Sequence, residues 1–206
     1  PLKVVIENFP EGKIEWLPAL NNPNSDKQEQ REIPFSREIW IEQDDFMEEP
    51  SKKFFRLAPG KEVRLRYAFF VTCNAVIKDE DGEIVELRCS YDPETRGGNA
   101  PDGRKVKGTI HWVSAEHAKD AEVRIYNSFY NTPSPGRERD FIEDINPNSL
   151  EVLENCKIEP DLIALGDNVP IQFERLGYFY KDSDTTPEKH IYNRTISLRD
   201  TWNKKP

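Results

Sequence analysis

Several residue types are scarce in this sequence of 206 residues, and each scarcity excludes a class of protein. The three cysteines, Cys73, Cys89 and Cys156, stand far apart and form no CxxC pair. That spacing argues against a zinc site and a disulfide framework, and it predicts buried thiols in a reducing compartment. Of the three histidines, His111 lies beside Trp112 in a strand-like run. We interpret His111 as a structural side chain rather than a catalytic one.

Long apolar runs and targeting segments are also missing. No stretch approaches the roughly 20 apolar residues of a membrane span, and no signal peptide opens the sequence. We therefore expect a cytoplasmic, monomeric protein without a membrane partner. The sequence starts without Met in the strand-like run Pro1-Leu2-Lys3-Val4-Val5-Ile6, which predicts that it is a piece of a longer chain.

Catalytic signatures are absent as well. There is no Gly-x-Ser-x-Gly elbow, and Gly97-Gly98 lacks the helix and lysine of a phosphate-binding loop. The acidic pairs Asp44-Asp45 and Glu48-Glu49 are interpreted as a solvated turn, and Asp79-Glu80-Asp81-Gly82 as a hairpin rather than half a calcium loop. The sequence predicts no catalytic residue and no metal site.

Short strands separated by turn residues dominate what is present. The chain has 16 prolines, and its hydrophobic fraction of 36% allows only a modest core. The pattern predicts an all-β fold of two small β-barrels with short helical turns. Predicted strands cover 2–6, 37–42, 62–77, 84–91, 107–113, 121–126 and 193–200. Residues 169–180 are predicted as a long strand or a hairpin, and residues 149–153 and 164–165 are predicted to flank a turn. Predicted helical turns cover 44–49 and 137–145, and residues 203–206 are expected to fray.

One segment is sharply basic although the chain as a whole is acidic. The formal net charge is −9, yet residues 52–66 contain six basic side chains and one acid. A positive island on a negative body suits selective contact with a polyanion, since the body repels indiscriminate binding. The island also contains Phe54 and Phe55, and aromatic rings can stack on unpaired bases.

Strand alternation in this island predicts a binding face. Arg64 and Arg66 should project from one face, while Val63 and Leu65 pack on the other. Two neighbouring guanidinium groups can hold a phosphate or a base edge. The spacing alone leaves open a solvated face that is paired to the chain's many acids.

A second polar set lies in the run Gln172-Phe173-Glu174-Arg175. Gln172 and Glu174 share a face if the strand is regular, so Arg175 needs a bulge or turn at Leu176-Gly177 to join Gln172. An amide and a guanidinium together offer the acceptor and donors that a base edge requires.

Several motifs in order make the sequence resemble the C-terminal anticodon-binding region of bacterial-type glutaminyl-tRNA synthetases. The resemblance covers essentially the whole chain, and its most specific parts are the run from Asp102 to Ser114 and the ending at Trp202. Further matching segments are Asn22-Pro23-Asn24, Pro34-Phe35-Ser36, Lys61 to Arg66, Tyr91-Asp92-Pro93, Asn146-Pro147, Gln172 to Arg175, Gly177-Tyr178-Phe179 and Asn193-Arg194-Thr195.

The resemblance implies two β-barrels, a proximal one from residues 1–50 with 165–206 and a distal one from residues 51–164. It implies that Arg64 and Arg66 hold the first anticodon base, that Arg56 reads the third, and that Gln172 and Arg175 line the pocket of the middle base. Asn24 would shape the anticodon loop. Lys53, which stands where some members have glutamine, and Phe55, where some have lysine, are departures close to these contacts.

The resemblance also implies a function. The parent enzymes join glutamine to tRNA(Gln) using ATP, with Mg²⁺ expected in the catalytic domain. Signatures of the HIGH and KMSKS type are absent from these residues, so this segment is expected to recognise the anticodon without catalysing ligation and without a cofactor of its own. The alternative is a β-barrel module whose basic strip binds an acidic partner protein.

Overall fold

In the computed structural model, which describes residues 1–198, the chain is built from β-strands and short 3-10 helices. The predicted all-β fold class is confirmed. The strands are β1 Leu2–Ile6, β2 Glu15–Leu20, β3 Gln30–Phe35, β4 Glu38–Ile41, β5 Glu62–Leu65, β6 Phe70–Lys78, β7 Ile84–Asp92, β8 Thr109–Ile110, β9 Val113–Ser114, β10 Lys119–Tyr126, β11 Leu150–Ile158, β12 Ile171–Phe173, β13 Gly177–Lys181 and β14 His190–Ser197. The 3-10 helices are Gln43–Asp45, Pro93–Thr95, Phe141–Asp144 and Pro160–Ala164.

The chain divides into two compact units. The first contains residues 1–119 and 157–161, and the second contains residues 120–156 with the described part of 162–206. The predicted boundary at residue 50 does not coincide with this division. The reason is strand pairing: β1 lies between β4 and β7, so strands from both sides of residue 50 share one sheet.

The first unit contains a seven-stranded sheet in the order β8-β5-β6-β7-β1-β4-β9, together with the hairpin β2-β3. Its core is one cluster of buried aliphatic and aromatic side chains, in which Phe9, Phe35 and Phe69 are almost completely excluded from solvent. The ring centroids of Phe9 and Phe35 lie 5.0 Å apart in an edge-to-face arrangement, and those of Phe35 and Phe69 lie 5.1 Å apart. Such packed aromatic rings fix the positions of the surrounding strands.

The second unit contains a five-stranded sheet in the order β11-β10-β14-β13-β12. Strands β10 and β14 run parallel, whereas β13 is antiparallel to both β12 and β14. Tyr192 and Phe179 are buried, and the ring of Phe173 contacts both. Strand β11 lies at one edge of this sheet, and most of its side chains are exposed.

Local sequence signals account for several elements. The hairpin predicted at residues 79–82 joins β6 to β7, and the Asp79 carboxylate accepts hydrogen bonds from the backbone N–H groups of Asp81 and Glu83. The helical turn predicted at 44–49 is the shorter 3-10 helix Gln43–Asp45, which begins one residue before the predicted start. The helical turn predicted at 137–145 is confined to Phe141–Asp144. The predicted strand 107–113 is divided into β8 and β9.

Strands β2 and β3 pair as a hairpin, so the loop between them is confined to residues 21–29. The strand predicted for 193–200 is present as β14 up to Ser197. The remainder of that strand, the fraying expected at 203–206 and the motif residue Trp202 lie outside the described residues.

The cysteine prediction is correct for two of the three thiols. Cys73 and Cys89 are buried and lie opposite each other on β6 and β7, whereas Cys156 is only half-buried. Within residues 1–198, no helix has the length and apolar character needed to traverse a lipid bilayer.

Candidate nucleic-acid interface

Strand β5 carries Arg64 as the alternation predicts, and Arg66 follows in the turn directly after the strand. Val63 and Leu65 are buried in the core, while Arg64 and Arg66 are only partly buried. The backbone N–H of Arg64 donates to the Gly108 carbonyl at 2.9 Å, and that of Arg66 donates to the Ile110 carbonyl at 3.0 Å. These hydrogen bonds to the segment around β8 fix the backbone at Arg64 and Arg66, and with it the direction in which both side chains leave the chain.

The Arg64 side chain is held by apolar contacts rather than by a carboxylate. Its guanidinium carbon lies 5.5 Å from the centroid of the Phe70 ring, an arrangement that favours a cation. Gly98 packs against its aliphatic part, and a Cβ at Gly98 would lie 2.9 Å from Arg64 Cδ. Among the described residues, the buried Nε of Arg64 has no hydrogen-bond partner. This N–H donor is therefore positioned by packing but has no acceptor there.

Arg104 also lies close to the Phe70 ring. Its guanidinium carbon lies 5.3 Å from the ring centroid, and its nitrogens donate to the carboxylates of Glu62, Asp92 and Asp102. The hydrogen bonds with Glu62, Asp92 and Asp102 raise the pKa of Arg104 above its already high usual value. The donors of Arg104 are thus occupied by carboxylates of the same chain, in contrast to the buried Nε of Arg64.

Arg56 is held by an internal acid. Its Nη1 lies 3.3 Å from the buried carboxylate of Asp45 and donates to the Asp44 carbonyl at 2.8 Å. About a quarter of the Arg56 side chain stays exposed. The carboxylate orients one edge of the guanidinium group while part of the side chain still reaches the surface.

The segment before Arg56 carries exposed basic and aromatic side chains. Lys53 is exposed in a turn, and Phe55 is 51% exposed. Lys107 Nζ lies 5.1 Å from the centroid of the Phe55 ring. The Phe55 carbonyl oxygen packs directly against Gly108, since a Cβ added at this glycine would lie only 2.2 Å from that oxygen. Gly108 thereby brings the segment that carries Lys53 and Arg56 against the end of β5.

Asn24 lies in the exposed loop between β2 and β3. Its backbone N–H donates to the Asn22 side-chain oxygen at 2.9 Å, and the Ser25 N–H donates to the Asn22 carbonyl at 3.2 Å. These bonds define a tight turn that presents the Asn24 side chain to solvent.

Gln172 and Arg175 lie in the second unit, on the hairpin β12-β13. Gln172 is exposed on β12 opposite Tyr178, and Arg175 lies in the turn with a φ of 65°. The turn is closed by the Leu176 N–H, which donates to the Phe173 carbonyl at 3.0 Å. A turn is present at residues 174–176, which overlaps the predicted position Leu176-Gly177 at Leu176, and the joining of Arg175 with Gln172 stays a prediction. Because β12 ends at Phe173, Glu174 belongs to the turn and not to a regular strand face beside Gln172.

The predicted residues fall into two groups. Asn24, Lys53, Arg56, Arg64 and Arg66 belong to the first unit, and Gln172 and Arg175 belong to the second. A surface pocket lined by residues that include Lys3, Arg37 and Trp40 contains none of them.

Sequence reasoning missed the residues that position the arginines. The Phe70 ring lies against the Arg64 guanidinium, Gly98 contacts its aliphatic part, and Arg104 lies close to the same ring. Tyr178 was also missed as the cross-strand neighbour of Gln172. Only the two adjacent glycines at 97 and 98 carried a visible signal, because paired glycines mark a turn or a close approach of the backbone.

The exposed groups of this arrangement suit an RNA loop. They are planar guanidinium groups, an ammonium group, amides and aromatic rings, which recognise phosphates, base edges and base faces. Within residues 1–198, no cluster of three or more His, Cys, Asp or Glu side chains has the geometry of a metal site.

Comparison with known proteins agrees with this chemistry. Two family models match, each described as tRNA synthetases class I (E and Q), anti-codon binding domain, over residues 1–92 and 109–182. The chain is 59% identical to the glutamine–tRNA ligase of Bradyrhizobium diazoefficiens over 99% of its own length and 36% of the relative. It is 55% identical to that of Nitrobacter winogradskyi, over 99% of the chain and 36% of the relative, and 52% identical to that of Aliivibrio salmonicida, over 98% and 37%.

The chain thus spans a little over a third of the length of these curated relatives. Together the two family models cover most of this chain, and the matched residues include parts of both units. The chain belongs to the anticodon-binding domain family of the class I tRNA synthetases for E and Q.

Proposed function

We propose that this chain recognises the anticodon of tRNA(Gln) as part of a glutamine–tRNA ligase. The relatives that cover nearly all of it carry that name, and the matching family models are those of anticodon-binding domains. Anticodon bases are unpaired in a loop, which is the form in which proteins read RNA sequence most directly.

The proposed mechanism is separate reading of splayed bases. Each base of a CUG or UUG anticodon enters its own site, where planar basic or amide side chains meet its edge. Arg64 and Arg66 take the first base and Arg56 takes the third. Gln172 and Arg175 take the middle base. Lys53 contributes charge near the third base, and Asn24 shapes the loop.

A single observation on this chain supports the proposal most directly. The Nε–H of Arg64 is buried, fixed by Phe70 and Gly98, and without an acceptor in the described residues. A buried donor without a partner costs free energy unless a ligand supplies the acceptor. An RNA phosphate or base edge has the required oxygen or nitrogen acceptor.

The ligation of glutamine is proposed for the whole enzyme rather than for this segment. ATP and Mg²⁺ belong to that reaction, and the sequence contains no ATP-binding signature to which they could be assigned here. The cytoplasmic location, the monomeric state and the lack of a membrane partner stay predictions from the sequence.

Replacement of Arg64 tests the proposal. Arg64→Ala should weaken binding of tRNA(Gln) by about 1–3 kcal/mol, and it should weaken binding of an anticodon-swapped tRNA much less. Arg64→Lys should restore little, because lysine keeps the charge but lacks the planar fork. Gel-shift titrations measure both affinities.

Arg88→Ala is a matched control, because Arg88 lies on β7 of the same sheet and pairs with Glu86 at 2.6 Å. Its affinity for tRNA(Gln) should equal that of the wild type. Equal losses on both tRNAs for Arg64→Ala would contradict base reading. Binding of the wild type that ignores the anticodon would instead favour the rival function, a basic module for an acidic protein partner.

A further inference from the structure

A row of exposed side chains crosses three strands of the second unit. Gln172 on β12 is paired with Tyr178 on β13, which is paired in turn with Ile196 on β14. Side chains directly opposite in antiparallel strands share a face, with Cβ atoms about 5 Å apart. Gln172 is exposed, Tyr178 is 41% exposed and Ile196 is 62% exposed. An amide, a phenol ring and an aliphatic group therefore lie side by side on the protein surface.

The opposite face of the same strands is buried and fixes this row. Ile171 and Phe179 form the neighbouring pair and are 8% and 2% exposed, and the rings of Phe173 and Phe179 lie 4.4 Å apart. The Thr195 hydroxyl donates to the Tyr178 carbonyl at 3.0 Å. Because Phe179 is held in the core, alternation keeps the Tyr178 ring on the outside.

The register also shifts beside this ring. Tyr178 is paired with Ile196 but Phe179 with Arg194, so Thr195 is an extra residue on β14. Such bulges bend a strand and re-aim side chains, and they occur often beside binding sites. The shift places the exposed Ile196 directly across from Tyr178.

We propose that Tyr178 stacks on the anticodon base whose edge Gln172 contacts, with Ile196 extending the apolar platform. The inference rests on the proposed function and adds a residue to the site. An amide can recognise the edge of an unpaired base but leaves its faces in water, whereas an aromatic ring covers a face regardless of base identity. The ligand class is therefore an unpaired nucleobase of an RNA loop.

Tyr180 provides an internal comparison. It lies two residues along the same strand, points to the same face and is 36% exposed. Its partner on β14 is Asn193 rather than Ile196. Tyr180 thus shares the residue type, strand and face of Tyr178, but it is not the residue paired with Gln172.

The test places the fluorescent base 2-aminopurine at each anticodon position of tRNA(Gln) in turn. Stacking on a ring quenches its fluorescence, so saturating wild-type protein should quench one position in particular. Tyr178→Leu should lose that quenching and bind unmodified tRNA(Gln) about 10-fold or more weakly. Tyr178→Phe and the control Tyr180→Leu should keep the quenching and bind within about 2-fold of the wild type.

Retention of both quenching and affinity in Tyr178→Leu would overturn the inference. Tyr178→Thr keeps a strand-favouring residue without a ring and should behave as Tyr178→Leu does, which separates the loss of the ring from any failure of the leucine variant to fold. The wild type is titrated in parallel with an anticodon-swapped tRNA. If the wild type fails to discriminate, the proposed function falls and this inference with it. If it discriminates but Tyr178→Leu matches it, only the role of Tyr178 falls.

Discussion

The arginines of the candidate interface differ in what holds them. Arg56 is tied to the buried carboxylate of Asp45, whereas Arg64 is held by the Phe70 ring and has a buried Nε without an acceptor in the described residues. An ion pair fixes a guanidinium at the cost of occupying part of its donor edge. In the proposed function, Arg56 would thereby be oriented before RNA binds, and Arg64 would be better placed to offer its donors.

The Arg56–Asp45 pair leads to a prediction about orientation. Asp45→Asn should lower the free energy of unfolding by about 1–3 kcal/mol, because the ion pair between the partly exposed Arg56 and the buried carboxylate of Asp45 is lost. It should also weaken tRNA(Gln) binding several-fold, since Arg56 loses the carboxylate that orients it. Urea unfolding and gel-shift titration measure the two effects.

The neighbouring Asp44→Asn serves as the control, because Arg56 contacts the backbone carbonyl of Asp44 and not its side chain. That variant should match the wild type in both measurements. Unchanged tRNA binding by Asp45→Asn would show that Arg56 needs no internal carboxylate to reach the RNA.

At the scale of elements, an ion-pair cluster joins β3 to the segment 157–161 within the first unit. Arg31 Nε donates to Glu159 at 2.6 Å, and His111 Nε2 lies 3.3 Å from the same carboxylate. Burial alone would raise the pKa of Glu159, but the hydrogen bonds from His111 and Arg31 outweigh it and lower the pKa to about 2. The contact agrees with the structural role predicted for His111.

This cluster predicts a pH dependence of stability. A carboxyl whose pKa is lower in the folded state stabilises the fold above its unfolded pKa, near 4.5, and that contribution is lost as pH falls towards about 2. The gap in unfolding free energy between the wild type and Glu159→Gln should therefore shrink by up to about 3 kcal/mol across that range. Urea unfolding at a series of pH values measures the gap.

Other carboxylates titrate in the same range, but their effects are common to both proteins and cancel in the difference. Glu151→Gln, which changes an exposed acid on the edge strand β11, should leave the pH profile of the wild type intact. A constant gap between the wild type and Glu159→Gln from neutral pH down to about 2 would contradict the assigned pKa.

At the scale of the whole molecule, the chain carries a net charge of −9, yet six of the fifteen residues from 52 to 66 are basic. If the proposed function is correct, attraction to RNA depends on a few phosphate contacts and must exceed the repulsion from the acidic surface. Each contact releases counterions, so the logarithm of the tRNA affinity should fall linearly with the logarithm of the salt concentration.

Lys53 is predicted to make one of these contacts. Lys53→Gln should reduce the steepness of the salt dependence by about one unit and weaken tRNA(Gln) and anticodon-swapped tRNA alike. Lys78→Gln is the matched control, since Lys78 lies in the same unit but pairs with Glu48 at 2.7 Å. Nitrocellulose filter binding at several salt concentrations measures the slopes. An unchanged slope for Lys53→Gln would exclude Lys53 as a phosphate contact.

The local sequence pattern was sufficient to predict structural features that depend on only a short stretch of chain. Alternation placed Val63 and Leu65 inward and Arg64 outward, because a strand has a two-residue period. The Asp79–Gly82 turn was predictable since Asp79 bonds the backbone N–H groups that follow it. The division into units was not, because it depends on β1 pairing with β7, more than 80 residues away.

By itself, then, the sequence determined the all-β class, the basic segment on an acidic chain and the family, since residue order fixes strand period, local charge and motif similarity. Tertiary structure alone decided that Arg56 has an internal acid, that Phe70 and Gly98 contact Arg64, and that Tyr178 stands beside Gln172. These contacts join segments from different strands and loops, and their geometry depends on sheet register and core packing, which no single stretch of sequence specifies.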